Sequence, residues 1–430
     1  MKKNHRPRGT HNRTQMPSAA LQQKFLELAS RFKAALAAQD HALGSQLAEQ
    51  ALKLIPGHMA VLSDYAFCLM RAGRHEEAHA VYLKIWHSPP AMQQQASATW
   101  LDGLTEVCGW LGDFAAVRNY GLCSLARADA QHGAAAGHPL SGPPAPFDAR
   151  QPSRNVIAYS LFGANPRYCE TMVKNADVAR DLFPEWTCRV YLDDSVPQHV
   201  GARLRAAGAD VIDIARTAHR DIHPLMWRFL VVDDPTVQRF LIRDADSLLS
   251  EREQAAVHEW QRSPYWFHHM RDYFTHTELL LAGMWGGCTG ALQGVAESIR
   301  AFMARANDRG RFVDQHFLRE CLWPTVRQSV LQHDDLFGFL EARPFPAHAP
   351  IRWNTEHFHV GSNVGHMGVG ARSASRSDGE LQRWALVTAQ GERIGEYASV
   401  VAGGVWQSDF PFFLAEDIQA GRMTIELLAD

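Results

Sequence analysis

The 430-residue sequence contains no run of eighteen apolar residues, so no membrane-spanning helix is expected. Residues 1–15 are basic and polar but lead into no apolar stretch, which argues against a secretory signal. Neither a Walker-type loop nor a Gly-x-Ser-x-Gly elbow is present, which disfavours P-loop nucleotide hydrolases and serine hydrolases. The seven cysteines (Cys68, Cys108, Cys123, Cys169, Cys188, Cys288 and Cys321) are odd in number and include no Cys-x-x-Cys pair. That suits reduced thiols in a cytoplasm better than a disulfide framework. A net charge of −3 argues against nucleic acid or anionic membrane as a bulk partner.

The hydrophobic fraction of 46% and charged fraction of 21% describe a soluble globular protein, and 430 residues predict two or three domains. Residues 1–20 read as a disordered basic tail. From 21 to 130 the pattern is helical and Ala-rich, and it repeats. Pro56 and Pro90 lie 34 residues apart, each closing one amphipathic helix and preceding another. Gly73, Ala78, Tyr82 and Pro90 recur in phase, with Asp40, Gly44, Ala51 and Pro56 in the matching places before them. Gly112-Asp113-Phe114 restarts the pattern. This spacing resembles the tetratricopeptide repeat, in which small residues let paired helices approach and each pair buries its open face on the next. An ordinary helical bundle is the alternative. Such a solenoid implies docking of a protein partner. Residues 131–153, rich in Gly, Ala and Pro, read as a semi-rigid linker.

Beyond the linker, strands alternate with helices. Asn155–Gly163, Cys188–Asp194 and Asp210–Asp213 read as strands, with helices over Tyr168–Leu182 and Pro197–Ala207. That alternation predicts an α/β domain with a mainly parallel sheet over 154–345. The chemistry centres on Arg239-Phe-Leu-Ile-Arg-Asp-Ala-Asp-Ser247. Phe240, Leu241 and Ile242 make a buried strand, and Ser250 with Glu253 makes a capping box for the helix that follows. Asp244 and Asp246 therefore sit on the turn at the carboxyl end of a buried strand, where open α/β sheets bind ligands. Two carboxylates one residue apart can take Mg²⁺ or Mn²⁺ and leave positions open for substrate phosphate oxygens.

An Asp-x-Asp ending a buried strand resembles the signature of GT-A type glycosyltransferases. That resemblance implies a GT-A-like domain and a nucleotide-sugar donor, with Asp244 and Asp246 holding Mn²⁺ or Mg²⁺ on its diphosphate. The acceptor would be an unspecified glycan, protein or small molecule. It further implies that Ser160 and Gly163 line the base pocket and that Asp193 (or Asp194) meets base or ribose. A plain acidic turn is the other reading of that pair. Arg228 would contact phosphate or ribose, or else form a surface ion pair with Asp233 or Asp234. Trp285 beside Gly286 would offer a face for a sugar ring, with the glycine allowing close approach. Asp314, before Gln315, would be the general base of an inverting transfer, or the N-cap of the helix over Gln315–Leu322. His359 would complete the metal shell, with His348, His357 and His366 as other candidates. His268 and His269 are adjacent on a strand and point to opposite faces, so they are not expected to share an ion. Residues 346–430 are expected to complete the catalytic domain with short strands and turns.

The expectation is a cytoplasmic, metal-dependent glycosyltransferase carrying N-terminal repeats. Two alternatives stand beside it: a repeat scaffold that binds sugar nucleotide or a protein without catalysis, and a metal-dependent nucleotidyltransferase or phosphoesterase.

Overall fold

A computed structural model describes residues 19–306, 310, 312–353, 355, 358–363, 366–373 and 375–428, apart from the side chain of His366. Most of the expected basic tail, and His357, lie outside the described residues. The chain divides into two units, Met1–Gly121 and Leu122–Asp430.

The first unit is built of helices Ala19–Ala37, His41–Leu54, Met59–Arg71, His75–Trp86 and Trp100–Trp110, with one short turn at Pro90–Gln93. Its helix ends follow from local chemistry. Asp40 Oδ1 accepts the Leu43 N–H at 2.9 Å and starts the second helix. Gly73, at φ +75°, takes the chain out of the third. Small residues set how closely neighbours pack: a Cβ on Gly44 would stand 2.8 Å from Cys68 Sγ, and one on Gly103 only 2.2 Å from the Tyr82 hydroxyl. Ala78, Tyr82, Ile85 and Leu104 are buried between these helices.

The second unit is mixed α/β. Its first sheet contains β1 (Asn155–Leu161), β2 (Thr187–Leu192), β3 (Asp210–Asp213), β4 (Arg239–Ile242), β5 (Phe267–Arg271), β6 (Trp285–Cys288) and β7 (Val330–Asp334). The strand order is β3-β2-β1-β4-β6-β5-β7. All pairings are parallel except those of β6, which runs antiparallel to both β4 and β5. β1 and β4 are buried along their whole length, as apolar central strands require. The order reverses at β1, with β2 on one side and β4 on the other. Such a switch point leaves a crevice at the strands' carboxyl ends. Helix Pro166–Leu182 starts there, with Asn165 Oδ1 accepting the Arg167 N–H at 2.9 Å and Pro166 in the first turn. The segment around Arg228 is a tightly wound 3₁₀ run, Pro224–Asp233.

The carboxyl-terminal residues form more than short strands and turns. β8 (His366–Arg372), β9 (Leu381–Thr388), β10 (Arg393–Ala402), β11 (Val405–Pro411) and β12 (Met423–Leu427) make one antiparallel sheet, ordered β12-β9-β10-β11-β8. Buried Trp384, Tyr397, Trp406 and Phe410 join the core of the α/β sheet. Between Gly133 and Gln151 the chain has no helix or strand and is held by side-chain bonds. Trp266 Nε1 donates to Gly142 O at 2.8 Å, Arg239 Nη2 to Ala145 O at 2.6 Å, and Asn155 Nδ2 to Asp148 O at 3.0 Å. Among the described residues no helix is long and apolar enough to cross a membrane.

Candidate functional site

Strand direction gathers the site. Because β6 runs against its neighbours, Trp285 at its start lies opposite Ile242 at the end of β4 and His269 near the end of β5. The loops 243–250 and 272–284 therefore emerge at one edge of the sheet. They meet the Arg228 segment, the start of helix Val313–Phe317 and the stretch 358–363 around a cavity of about 770 Å³. Its walls include Arg228, Asp244, Asp246, Ser247, Tyr273, His276, Gly283, Asp314 and His359.

One end of the cavity is charged. Arg228, buried, donates Nη1 to Asp244 and Nη2 to Asp314 Oδ2 at 2.8 Å, so a single guanidinium joins the two carboxylates. Burial opposes its charge, but Asp244 and Asp314 overcome that, and its pKa is raised. Arg167, in the first turn of helix Pro166–Leu182, pairs with Asp246 Oδ2 at 2.7 Å. Burial, and next the Asp244 charge, push the Asp246 carboxyl up against the pull of Arg167. Burial likewise raises Asp314, with Arg228 pulling down and Asp244 adding to the rise. Glycine makes room for this arrangement: a Cβ on Gly283 would stand 1.9 Å from Asp244 Oδ2.

The other end is aromatic. Tyr273 stacks on His359 with ring centroids 3.8 Å apart and planes at 2°, and His276 meets His359 edge-on at 5.2 Å. Asp272 ties this wall together. Its Oδ2 accepts the Val360 N–H at 2.9 Å, and its own N–H donates to His276 Nδ1 at 3.2 Å. Ser247 Oγ donates to Gly361 O at 3.0 Å from below. Arg271, fully buried, anchors the loop by donating Nη2 to the carbonyls of Glu278 (2.8 Å) and Leu279 (2.7 Å).

Of the residues singled out in the sequence, Asp244, Asp246, Arg228, Asp314 and His359 share the cavity. Arg228 makes no surface pair with its neighbours. Asp233 instead caps helix Val295–Arg305 through the Val295 and Ala296 N–H groups, and Asp234 pairs with Arg189. Asp314 lies inside helix Val313–Phe317, whose N-cap position is Phe312, so its carboxylate is not the cap. Beyond it the helix loosens into a π turn at Leu318–Leu322. Ser160, Gly163 and Asp193 do not line this cavity. Ser160 Oγ accepts the Arg228 N–H at 3.0 Å and so seats that arginine's backbone. Gly163, at φ +76°, donates its N–H to Ser195 Oγ at 2.7 Å, and Asp193 accepts from the Ser195 N–H at 3.1 Å.

Trp285 and Gly286 correct the expectation placed on them. Trp285 is fully buried in β6, edge-on to Phe240 at 5.3 Å, so its face is closed to a sugar. A Cβ on Gly286 would lie 2.6 Å from Phe240 O, so this glycine serves the close approach of β4 and not that of a ligand. A central strand between β4 and β5 has no exposed face to offer. His268 and His269 serve the sheet: His268 Nε2 lies 2.8 Å from His333 Nδ1, and His269 Nε2 accepts the Leu281 N–H at 3.0 Å. Among the described residues no group of three His, Cys, Asp or Glu gathers closely enough to hold a metal, so His359 does not complete a protein-only shell. Arg167 joins the site without standing out in any motif, although its position carries a signal. A cation in the first turn of a helix opposes the macrodipole and calls for an anion nearby.

Comparison with known proteins adds the following. A tetratricopeptide repeat family model matches residues 35–97. No curated protein matches the sequence. Among solved structures the chain is similar to a mutant O-GlcNAc transferase of Thermobaculum terrenum, at 14% identity and TM-score 0.24, over 48% of this chain and 44% of that one. It is also similar to a mannosyltransferase from Pyrobaculum calidifontis in complex with GDP-Man and Mn2+, at 12% identity and TM-score 0.29, over 55% of this chain and 67% of that one. The match to the first spans less than half of its length. Both neighbours are glycosyltransferases.

Proposed function

We propose that the chain is a metal-dependent glycosyltransferase of GT-A type, transferring a sugar from a nucleotide-sugar donor. The observation that carries this is the convergence of Asp244, Asp246, Arg228 and Asp314 on one cavity at the carboxyl ends of β1 and β4. The residues fit a hard cation. Asp244 and Asp246 are oxygen donors one residue apart, and burial together with the Asp244 charge raises Asp246, a penalty a cation relieves. With no third protein ligand among the described residues, the remaining positions suit phosphate oxygens and water, the usual habit of Mg²⁺ and Mn²⁺. Bound there, the ion would supply Lewis acidity toward the leaving diphosphate.

The protein's own groups do the rest. Arg228 and Arg167 bring fixed positive charge to the place where a diphosphate would sit. Asp314 takes the proton of an acceptor hydroxyl, and its raised pKa favours that uptake. The helical repeats dock a protein partner, and the reaction is cytoplasmic. The alternative, a scaffold that binds sugar nucleotide without turnover, draws on the Arg228–Asp314 pair at 2.8 Å, which occupies the carboxylate a base would need free. Calorimetry with Mn²⁺ and UDP or GDP tests the primary reading. The parent should bind, and Asp244→Ala and Asp246→Ala should abolish Mn²⁺-dependent binding while staying folded. Binding by both variants at parental affinity would sink the metal assignment, and release of nucleoside diphosphate separates enzyme from scaffold.

A further inference from the structure

The charged end of the cavity matches a diphosphate and its counter-ion, which leaves the aromatic end to be explained. We propose that His276 is the hydrogen-bond donor that recognises a hydroxyl of the sugar brought into this cavity, an assignment that rests on the glycosyl-transfer reading above.

A neutral imidazole carries one proton, and the partner of one nitrogen decides where it sits. His276 Nδ1 accepts the Asp272 N–H at 3.2 Å, so the proton is on Nε2. Burial first, then His359 and Arg271, hold the ring's pKa well below the usual histidine range, so it stays uncharged. Among the described residues no hydrogen bond engages Nε2, and the side chain lines the cavity. An anionic phosphate is better served by a charged donor such as Arg228. A hydroxyl oxygen suits an uncharged one.

The donor is also held still. Asp272 grips both His276, through its N–H, and the opposite stretch, through the Val360 N–H. Tyr273 stacked on His359 at 3.8 Å stiffens the same wall. A rigid aromatic surface presenting one neutral N–H complements a hexose, which has an apolar C–H face and a rim of hydroxyls.

Calorimetry on the full chain with Mn²⁺ tests this, setting UDP and GDP against UDP-glucose, UDP-N-acetylglucosamine and GDP-mannose. For the sugar nucleotide that the parent binds, His276→Leu should weaken affinity roughly 3- to 10-fold, the worth of one neutral hydrogen bond, with the matching nucleoside diphosphate unchanged. His276→Gln keeps a donor and an acceptor and should restore most of the loss. Equal weakening of both ligands, no weakening, or a Gln variant as poor as Leu overturns the assignment. If the Leu variant does not fold, the parent decides. Long-range ¹H–¹⁵N spectra of histidine-labelled protein, with His276→Gln identifying the signal, should show the Nε2–H tautomer at neutral pH, shifted by sugar nucleotide and not by nucleoside diphosphate. An Nδ1–H tautomer, or equal shifts from both ligands, overturns it. A parent that binds neither class of ligand overturns the glycosyl-transfer reading and this assignment together, whereas failure of the His276 arms alone leaves that reading standing.

Discussion

In the helical unit the buried side chains are almost all apolar, and the hydroxyl exceptions bond to their own helix. Ser45 donates to Ala42 O at 2.8 Å, Ser63 to Met59 O at 3.0 Å, and Thr105 to Leu101 O at 2.9 Å. Among the described residues its one buried acid, Glu106, meets Arg71 at 2.9 Å, and that arginine is 41% exposed. The α/β unit buries Arg228, Arg243, Arg271, Glu253 and Asp314 outright. Repeats that only stack on one another have no use for interior charge. A sheet that presents carboxylates at one edge needs their counter-ions inside as well, and helices and loops must then be fastened around them.

That contrast breaks first at Asp314. If interior charge serves chemistry, Asp314→Asn should lower glycosyl transfer by a factor on the order of 10²–10⁴, with nucleoside diphosphate binding nearly unchanged. Full activity in the variant would make Asp314 a mere partner of Arg228. The next test compares one ion pair from each unit. Arg243 and Glu253 are each 3% exposed, so Glu253→Ala strands a buried guanidinium and should destabilise the α/β unit by about 3–5 kcal/mol. Arg71→Ala breaks a pair open to water and should cost about 1 kcal/mol or less. Similar losses in urea titrations of the two variants would erase the distinction.

A further effect is one of pH. Burial lifts the Asp272 carboxyl from 3.8 to about 7. The folded chain keeps that proton in the interval where the unfolded chain has lost it, so folding takes up a proton there. This contribution to stability is complete below the unfolded value and declines as pH rises toward about 7, becoming flat beyond. Asp272→Asn should remove the slope, measured as the difference between parent and variant in urea unfolding across that window. A parent with the same slope as the variant would show that Asp272 ionises normally.

Legibility in the sequence followed how local each cause was. β1 is a buried run, β2 and β3 are short segments with apolar centres bounded by turns, and the Asp244–Asp246 turn follows from β4 ending at Ile242, so local pattern suffices. Ser250 accepts the Glu253 N–H at 3.4 Å, a cap that its own four residues announce. The burial of Trp285 is not legible locally, because it depends on β6 inserting between β4 and β5, a pairing of segments more than forty residues apart for β4. The sequence leaves Arg228 open between a ligand contact and a surface ion pair. Its grip on both Asp244 and Asp314 spans 86 residues at the wider end, which no local pattern encodes. Gly283 lay within a glycine-rich run, but only the position of Asp244 Oδ2 distinguishes it from Gly286.

The irregular stretch before β1 has a practical consequence for anyone shortening this protein. Trimming to residue 154 would leave the sheet's first strand whole and remove the acceptors of Trp266 and Arg239 together, with Asn155 left only Glu185 O. It would also remove Asp129, which receives Arg327 at 2.8 Å and Trp323 Nε1 at 2.7 Å, and His138, whose N–H goes to Thr325 at 2.9 Å. Trp323, Thr325 and Arg327 lie on the short helix and turn that lead into β7, so the cut would fray the sheet from its far edge. A fragment meant to stand alone should begin upstream of Asp129 and keep this belt buckled.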